Sequence, residues 1–300
     1  MHEDEIEIAD DAAQHLISSQ FPVWSMLPIR RIQSSGTVNA IFRIGDDLAA
    51  RFPLRPGEPE EVRRDLEDEA KANANFARHS PFPSPTSVAI GEPGIGYPLP
   101  WSVQTWLSGS VAADVDPPGN EELALDLAVL ITALRKVDTK GRTFEHGWRG
   151  GDLRKHDEWV QTCLLKSEGI LDVPTLTALW SHFVELPRTA PDVMSHGDLT
   201  PSNVLVADGR LVGILDCGGF GPADPALDLI AGWHLRDAPR ALFRNRLEVN
   251  DLECERSMAW AFEQSMGAVW YYEKTNPSMA EMGRRTLSRI VADAHGSLGI

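Results

Sequence analysis

The periodicity of the chain changes once, near residue 107, and that change constrains the fold more than any other feature. An amphipathic helix is expected at the start, where Ile6, Ala9, Ala13, Leu16 and Ile17 recur at helical spacing. Residues 29–32, 38–44 and 48–52 then read as three short strands, the last two joined by the turn residues Gly45-Asp46-Asp47. A charged stretch from Glu58 to His79 reads as one exposed helix, stopped by Pro81, Pro83 and Pro85. The first three strands read as an antiparallel meander, and two more strands are expected near 86–90 and 97–107. After Ser108-Gly109 the pattern becomes helical, with Leu123, Leu127, Leu130, Ile131, Leu134 and Val137 on one stripe. Further helices are expected at 152–166, 174–186, 223–236, 238–248, 252–273 and 277–296. A composition change at a glycine-containing break is where separate cores usually divide, so residues 1–107 and 108–300 are expected to form two lobes.

Composition narrows the class of function. Hydrophobic residues make up 42% and charged residues 24% of 300, with a mean hydropathy of -0.22, enough to build globular cores. Twenty-eight basic against 44 acidic residues leave a net charge of -16, the wrong sign for a nucleic-acid binder that must displace counterions. Cys163, Cys217 and Cys254 are scattered without CxxC spacing, which points to neither a disulfide framework nor a cysteine zinc site and fits a reducing cytoplasm. The first 29 residues contain Glu3, Asp4, Glu5, Glu7, Asp10 and Asp11 but no Lys or Arg, the reverse of a targeting leader. The most apolar stretch, 123–134, is interrupted by Asp126 and is shorter than the ~20 residues a membrane span requires. The oligomeric state is left open.

One short strand-forming interlude interrupts the helical part, at 203–206 and 211–215, joined by the hairpin signal Asp208-Gly209. It carries the densest polar constellation in the chain: His196-Gly197-Asp198, then Asn203 five residues after Asp198, then Asp216 at the end of the second strand. An Asp and an Asn at that spacing, followed by a second Asp, match the catalytic loop and metal-binding residues of protein kinases. Amide and carboxylate oxygens at adjacent strand ends suit a hard divalent ion that also takes phosphate oxygens. The chemistry indicated is phosphoryl transfer.

The segments SHGDLTPSNVLV and GILDCGGFGPADPALDL resemble the aminoglycoside phosphotransferase family of kinase-fold small-molecule kinases, which includes macrolide phosphotransferases. The likeness continues upstream through GTVNAIFRIGDDLAARFPL, the helix around Glu69 and PWSVQTWLSG, so it covers about 29–236 in order. It implies an α+β, bilobal protein-kinase-like fold with a small antiparallel five-stranded N-lobe and a larger helical C-lobe. It further implies that Asp198 is the catalytic base, that Asn203 and Asp216 hold Mg2+, and that Thr105 and Leu107 offer backbone groups to the base of ATP or GTP. Two departures bear on the kind of kinase. Gly197 stands where protein kinases have Arg, which removes the partner of an activation-loop phosphate. Arg51 stands where the phosphate-binding Lys is expected; it keeps the charge, changes the geometry and can still pair with Glu69. The glycine-rich loop is replaced by Ser34-Ser35-Gly36-Thr37, so Ser35 is a candidate phosphate contact.

Other polar residues carry blander readings. His196 is expected to hold the loop, Asp224 to cap the helix after it, and Asp228 to bond the catalytic-loop backbone, the alternative for both Asp residues being further metal ligation. Trp233, Trp260, Trp270, Tyr271 and Tyr272 are expected mainly in the core, with Trp148, Arg149 and His234 as minor candidates for an acceptor pocket. Asp237, Glu263 and Glu273 are expected on solvated helix faces, a polycation being the alternative partner. The resulting expectation is a kinase for a hydroxyl of a small molecule, an aminoglycoside or macrolide antibiotic first. A sugar, amine or amino-alcohol metabolite comes second, and a nucleotide-binding pseudokinase regulator is the alternative of another class.

Overall fold

The computed structural model describes residues 6–32, 38–115, 120–145 and 149–297. The chain divides into two compact units, Met1–Gly109 with Gly213–Gly218, and Ser110–Val212 with Gly219–Ile300.

The first unit opens with helix α1 (Asp10–Gln20), followed by β1 (Ile29–Ile32), β2 (Asn39–Ile44), β3 (Leu48–Pro53), helix α2 (Pro59–His79), β4 (Ser87–Gly91) and β5 (Trp101–Thr105). The five strands form one antiparallel sheet in the order β1-β2-β3-β5-β4. The β2–β3 turn begins at Gly45, whose φ of +57° favours a residue without Cβ. Alternation decides which side chains the sheet buries: Ala40, Phe42 and Ile44 on β2 point inward with Phe52 on β3 and Trp101 and Val103 on β5. Phe52 stacks on Trp101 at 4.7 Å between ring centroids, with Tyr97 edge-on to Phe52 at 5.1 Å. Ala13, Leu16 and Ile17 of α1 close this core, as the sequence stripe predicts, although the helix itself begins at Asp10 rather than Ile6.

The second unit begins with β6 (Ser110–Val111), α3 (Ala112–Val115) and α4 (Glu121–Arg135), whose Asn120 cap accepts the Leu123 N–H at 3.1 Å. Helices α5 (Asp157–Lys166) and α6 (Val173–Phe183), then the strands β7 (Val193–Ser195), β8 (Val204–Ala207) and β9 (Arg210–Ile214), come next. Positive φ at both Asp208 and Gly209 gives β8 and β9 the two-residue turn expected from the sequence. The end of β9 leads into the 213–218 segment of the first unit, where the Ile214 N–H donates to the Pro83 carbonyl at 2.9 Å. Strand β10 (Gly221–Ala223) pairs antiparallel with β7, and helices α7 (Ile230–Trp233), α8 (Asp237–Leu247), α9 (Asp251–Tyr272) and α10 (Pro277–Ser297) complete the chain.

The second core lies among α5, α6, α9 and α10, built on Val160, Trp180, Phe183, Trp260, Phe262 and Ile290. Gly283 permits close packing of α10 on α9, because a Cβ there would lie 3.0 Å from the Ser265 carbonyl oxygen. The expected helix 223–236 is corrected: Ala223 ends a strand, and only Ile230–Trp233 is helical. The reason is tertiary, since Pro222 and Ala223 pair with Met194 and Val193 and the Asp224 side chain turns inward to a buried arginine. Among the described residues no helix is long and apolar enough to cross a membrane.

Candidate functional site

The second unit gathers a set of polar residues on the loop leaving β7. Asp228, buried to 3% exposure, accepts from the Ser195 hydroxyl at 2.7 Å and from the backbone N–H groups of His196 (2.8 Å) and Gly197 (3.1 Å), clamping the strand end. Gly197 has φ +90°, a conformation L side chains rarely adopt, so the arginine of the protein-kinase motif is excluded here by backbone geometry. Buried His196 accepts the Asp198 N–H on Nδ1 at 3.3 Å, and the Asp198 carbonyl accepts the Thr200 N–H at 2.9 Å. These contacts present the Asp198 side chain, which stays 39% exposed.

Asp198 is held by three side chains. Asn203 Nδ2 donates to its Oδ2 at 3.0 Å and to its carbonyl at 2.8 Å. Gln264 Nε2 from α9 and Arg149 Nη2 donate to its Oδ1 at 2.6 and 3.1 Å. Behind Arg149, buried Glu263 lies 3.6 Å from its Nη1 and 3.0 Å from His156 Nδ1. Burial works against the Arg149 charge, but the pull of Glu263 and Asp198 outweighs it and raises its pKa further, so the guanidinium stays protonated. Glu263 is therefore a buried partner of Arg149 and His156 instead of the expected solvated residue, because its helix face packs inward.

Asp224 is likewise structural: it accepts from Arg256 Nε (2.8 Å), Trp260 Nε1 (3.0 Å) and the Ala226 N–H (3.0 Å). Sequence reasoning passed over Gln264 altogether, since a single amide in the middle of an amphipathic helix carries no local signal. Trp148 lies outside the described residues.

His234 lies within electrostatic reach of Asp198, yet burial first and then Arg289 push its pKa down to about 4. It is neutral at pH 7, with Nδ1 3.2 Å from the Thr286 hydroxyl. Its folded pKa lies below the unfolded value near 6.5, so the unfolded chain binds more protons between those values and stability falls as pH drops through that window. Urea unfolding at pH 4.5 should show about 2–3 kcal/mol less stability from this group than at pH 7.5. In His234→Gln that pH dependence should be smaller by about the same amount; equal slopes in both proteins would refute the assignment.

The first unit holds a separate set. Arg51 lies on β3 opposite Ser102 of β5 and forms an ion pair through Nη1 with Glu69 Oε1 of α2, their side chains 15% and 24% exposed. Gly218 abuts this pair, since a Cβ there would meet Glu69 Cγ at 2.7 Å. Asp216, two residues earlier, is exposed and adopts φ +54°, an uncommon conformation that Asp tolerates better than most residues. Burial, then the charges of Asp216 and Glu69, push the Cys217 thiol far above its usual range, so it stays protonated and inert. Thr105 ends β5 with its N–H committed to the Thr86 carbonyl at 2.9 Å, whereas Leu107 lies beyond the strand. Ser35 lies outside the described residues.

Known proteins resemble this chain in sequence and fold. An aminoglycoside 3'-phosphotransferase of Streptomyces fradiae is 29% identical over 189 residues, covering 59% of this chain and 66% of that protein. One of Escherichia coli is 34% identical over 74 residues, covering 24% of this chain and 27% of that protein, so the chain spans less than two thirds of both curated relatives. The GDP and kanamycin complex of APH(2")-IIia superposes with a TM-score of 0.69 at 18% identity, covering 94% of this chain and 98% of that one. A macrolide 2'-phosphotransferase from Brachybacterium faecium gives 0.60 at 18% identity, with coverages of 92% and 98%. At such identities the likeness establishes the kinase-like fold. The model of the APH phosphotransferase enzyme family matches residues 28–261, a span that contains Arg51, Glu69, Asp198, Asn203 and Asp216. The chain belongs to that family.

Proposed function

We propose that this protein transfers the γ-phosphate of ATP or GTP to a hydroxyl of a small molecule, of the aminoglycoside or macrolide class that its relatives' names carry. The observation that carries the reading is the Asp198 carboxylate: partly exposed, yet fixed by Asn203, Gln264 and Arg149. In that position Asp198 orients the acceptor hydroxyl and takes its proton as the new O–P bond forms and the bond to the β-phosphate oxygen breaks. The remaining donors of Arg51, beyond the one held by Glu69, are the proposed phosphate contact, Ser35 is proposed as a second one, and the backbone at Thr105 and Leu107 is proposed for the base.

Asn203 and Asp216 are the proposed magnesium ligands. The Asn203 NH2 group is committed to Asp198, which leaves its amide oxygen as the ligand atom, and Asp216 adds an exposed carboxylate. Two hard oxygens fit an ion that keeps most of its waters and takes phosphate oxygens. Bound there, Mg2+ neutralises charge on the transferring phosphates. Three free cysteines and the need for a nucleoside triphosphate favour the cytoplasm as the place of action.

Release of ADP or GDP across a panel of hydroxylated antibiotics and metabolites tests the reading, and Asp216→Ala tests its metal branch. That variant should bind nucleotide on the order of tenfold or more weakly with magnesium and like wild type in EDTA. Wild-type protein that binds ATP but phosphorylates nothing in the panel would favour the pseudokinase regulator.

A further inference from the structure

Asp198 Oδ1 already accepts from Gln264 Nε2 at 2.6 Å and from Arg149 Nη2 at 3.1 Å, so a hydroxyl that binds this oxygen takes the place of one of them. Arg149 is the looser donor, because charge-assisted N–H···O contacts usually measure ~2.7–2.9 Å. On its other side Nη1 stands 3.6 Å from Glu263 Oε2, beyond hydrogen-bond length. The guanidinium therefore rests between two carboxylates and grips neither with both donors. Its main chain, by contrast, is fixed. Gly150 next to it has φ +117°, and the Gly150 carbonyl accepts the N–H of Asp224, whose side chain is tied to buried Arg256. A fixed backbone with a loosely held head describes a side chain that can swing, and it meets Asp198 where both are open to substrate, at 28% and 39% exposure.

We infer that Arg149 is a further catalytic residue, which gives up its place on Asp198 to the acceptor hydroxyl and turns Nη2 to the oxygens of the transferring phosphoryl group. The inference rests on the phosphotransferase reading and deepens it. A hydroxyl bound to Asp198 lies about 2.5–3 Å from Oδ1. Poised to attack, it lies roughly 3–3.5 Å from phosphorus, so the phosphoryl oxygens come within the swing of a guanidinium that starts 3.1 Å from the same Oδ1. The charges move in step with it. As the new O–P bond forms, the hydroxyl proton passes to Asp198, and the electrons of the breaking P–O bond pass to the β-phosphate oxygen. Asp198 is then neutral, so Arg149 loses an anion on that side while negative charge is spread over the phosphoryl oxygens. Buried Glu263, held also by His156 at 3.0 Å, stays behind as the counter-ion throughout.

Single-turnover loss of labelled γ-phosphate from magnesium ATP and GTP, with the full-length protein in excess, gives the test. The acceptor is the compound of the antibiotic panel that is turned over fastest, or water where none is. Arg149→Gln should slow the transfer about 100-fold while calorimetric nucleotide affinity stays within about threefold of wild type. Arg149→Lys keeps the charge and the partner of Glu263, serves if Arg149→Gln does not fold, and should lose about tenfold. Repeating either substitution in an Asp198→Asn background separates a charge on the phosphoryl group from a prop for Asp198. The first keeps its value there and should cost a further fivefold or more, on the order of what independent groups show. A smaller further loss would mean that Arg149 acts only through Asp198 and would overturn the inference. So would single variants that transfer like wild type, or a defect confined to nucleotide affinity. Wild type that binds nucleotide but moves no γ-phosphate, even to water, would remove the phosphotransferase reading itself; transfer by wild type with indifferent Arg149 variants would remove the inference alone.

Discussion

Asp198→Asn should lower kcat by ~100-fold or more while leaving nucleotide affinity within about threefold of wild type. The substitution is clean because the network around the side chain tolerates it. An asparagine can turn its oxygen to Gln264 and Arg149, which now reach Oδ1 at 2.6 and 3.1 Å. Asn203 keeps its 2.8 Å bond to the backbone carbonyl and loses only the one to Oδ2. The variant lacks the carboxylate proposed as the proton acceptor, and with it the proposed means of directing the acceptor hydroxyl at the phosphate. Steady-state turnover with saturating acceptor and calorimetric nucleotide binding separate the two quantities. A kcat within threefold of wild type removes Asp198 from the role of base; a parallel collapse of nucleotide affinity would mean that it acts through the nucleotide instead.

Much of this was legible in the chain because it is written in local pattern. The alternation of 38–44 and 48–52 gives β2 and β3, and the Asp208-Gly209 signal gives the β8–β9 turn, since both arise from backbone preferences of neighbouring residues. The spacing of Asp198 and Asn203 placed two residues that the structure brings into contact. The supporting cast was illegible for the opposite reason. Gln264 reaches Asp198 from 66 residues away with nothing around it to mark it as different from a surface residue, and Arg149, 49 residues away, could be named only as a minor candidate for an acceptor pocket, not as a partner of Asp198. The three-residue strands β7 and β10 exist only because they pair with each other, so 223–236 read as helix from its apolar spacing. Gly197 shows an intermediate case: the sequence reveals that arginine is missing, but only the φ of +90° explains why glycine is there.

The pair on the first unit supports the second large effect. Arg51 and Glu69 are mostly buried, 15% and 24% exposed, so neither can exchange its partner freely for water. Arg51→Ala removes the guanidinium proposed to meet the nucleotide phosphates and leaves the Glu69 carboxylate without its partner. Losing a hydrogen-bonded charge from such a site costs roughly 1.5–3 kcal/mol, about ten- to a hundred-fold in nucleotide KM or kcat. Arg51→Lys should recover part of that, because charge returns without the planar pair of donors. Glu69→Gln should cause a smaller defect of the same kind, since the amide still accepts one hydrogen bond. Gly218→Ala should imitate it from a distance, its new methyl meeting Glu69 Cγ at 2.7 Å and forcing the carboxylate to shift. If Arg51 and Glu69 act as one unit, Arg51→Ala with Glu69→Gln should be little worse than Arg51→Ala alone. Full additivity in that cycle would show that Arg51 meets the nucleotide without help from Glu69, and an Arg51→Ala enzyme with unchanged KM and kcat would show that the phosphates are held elsewhere.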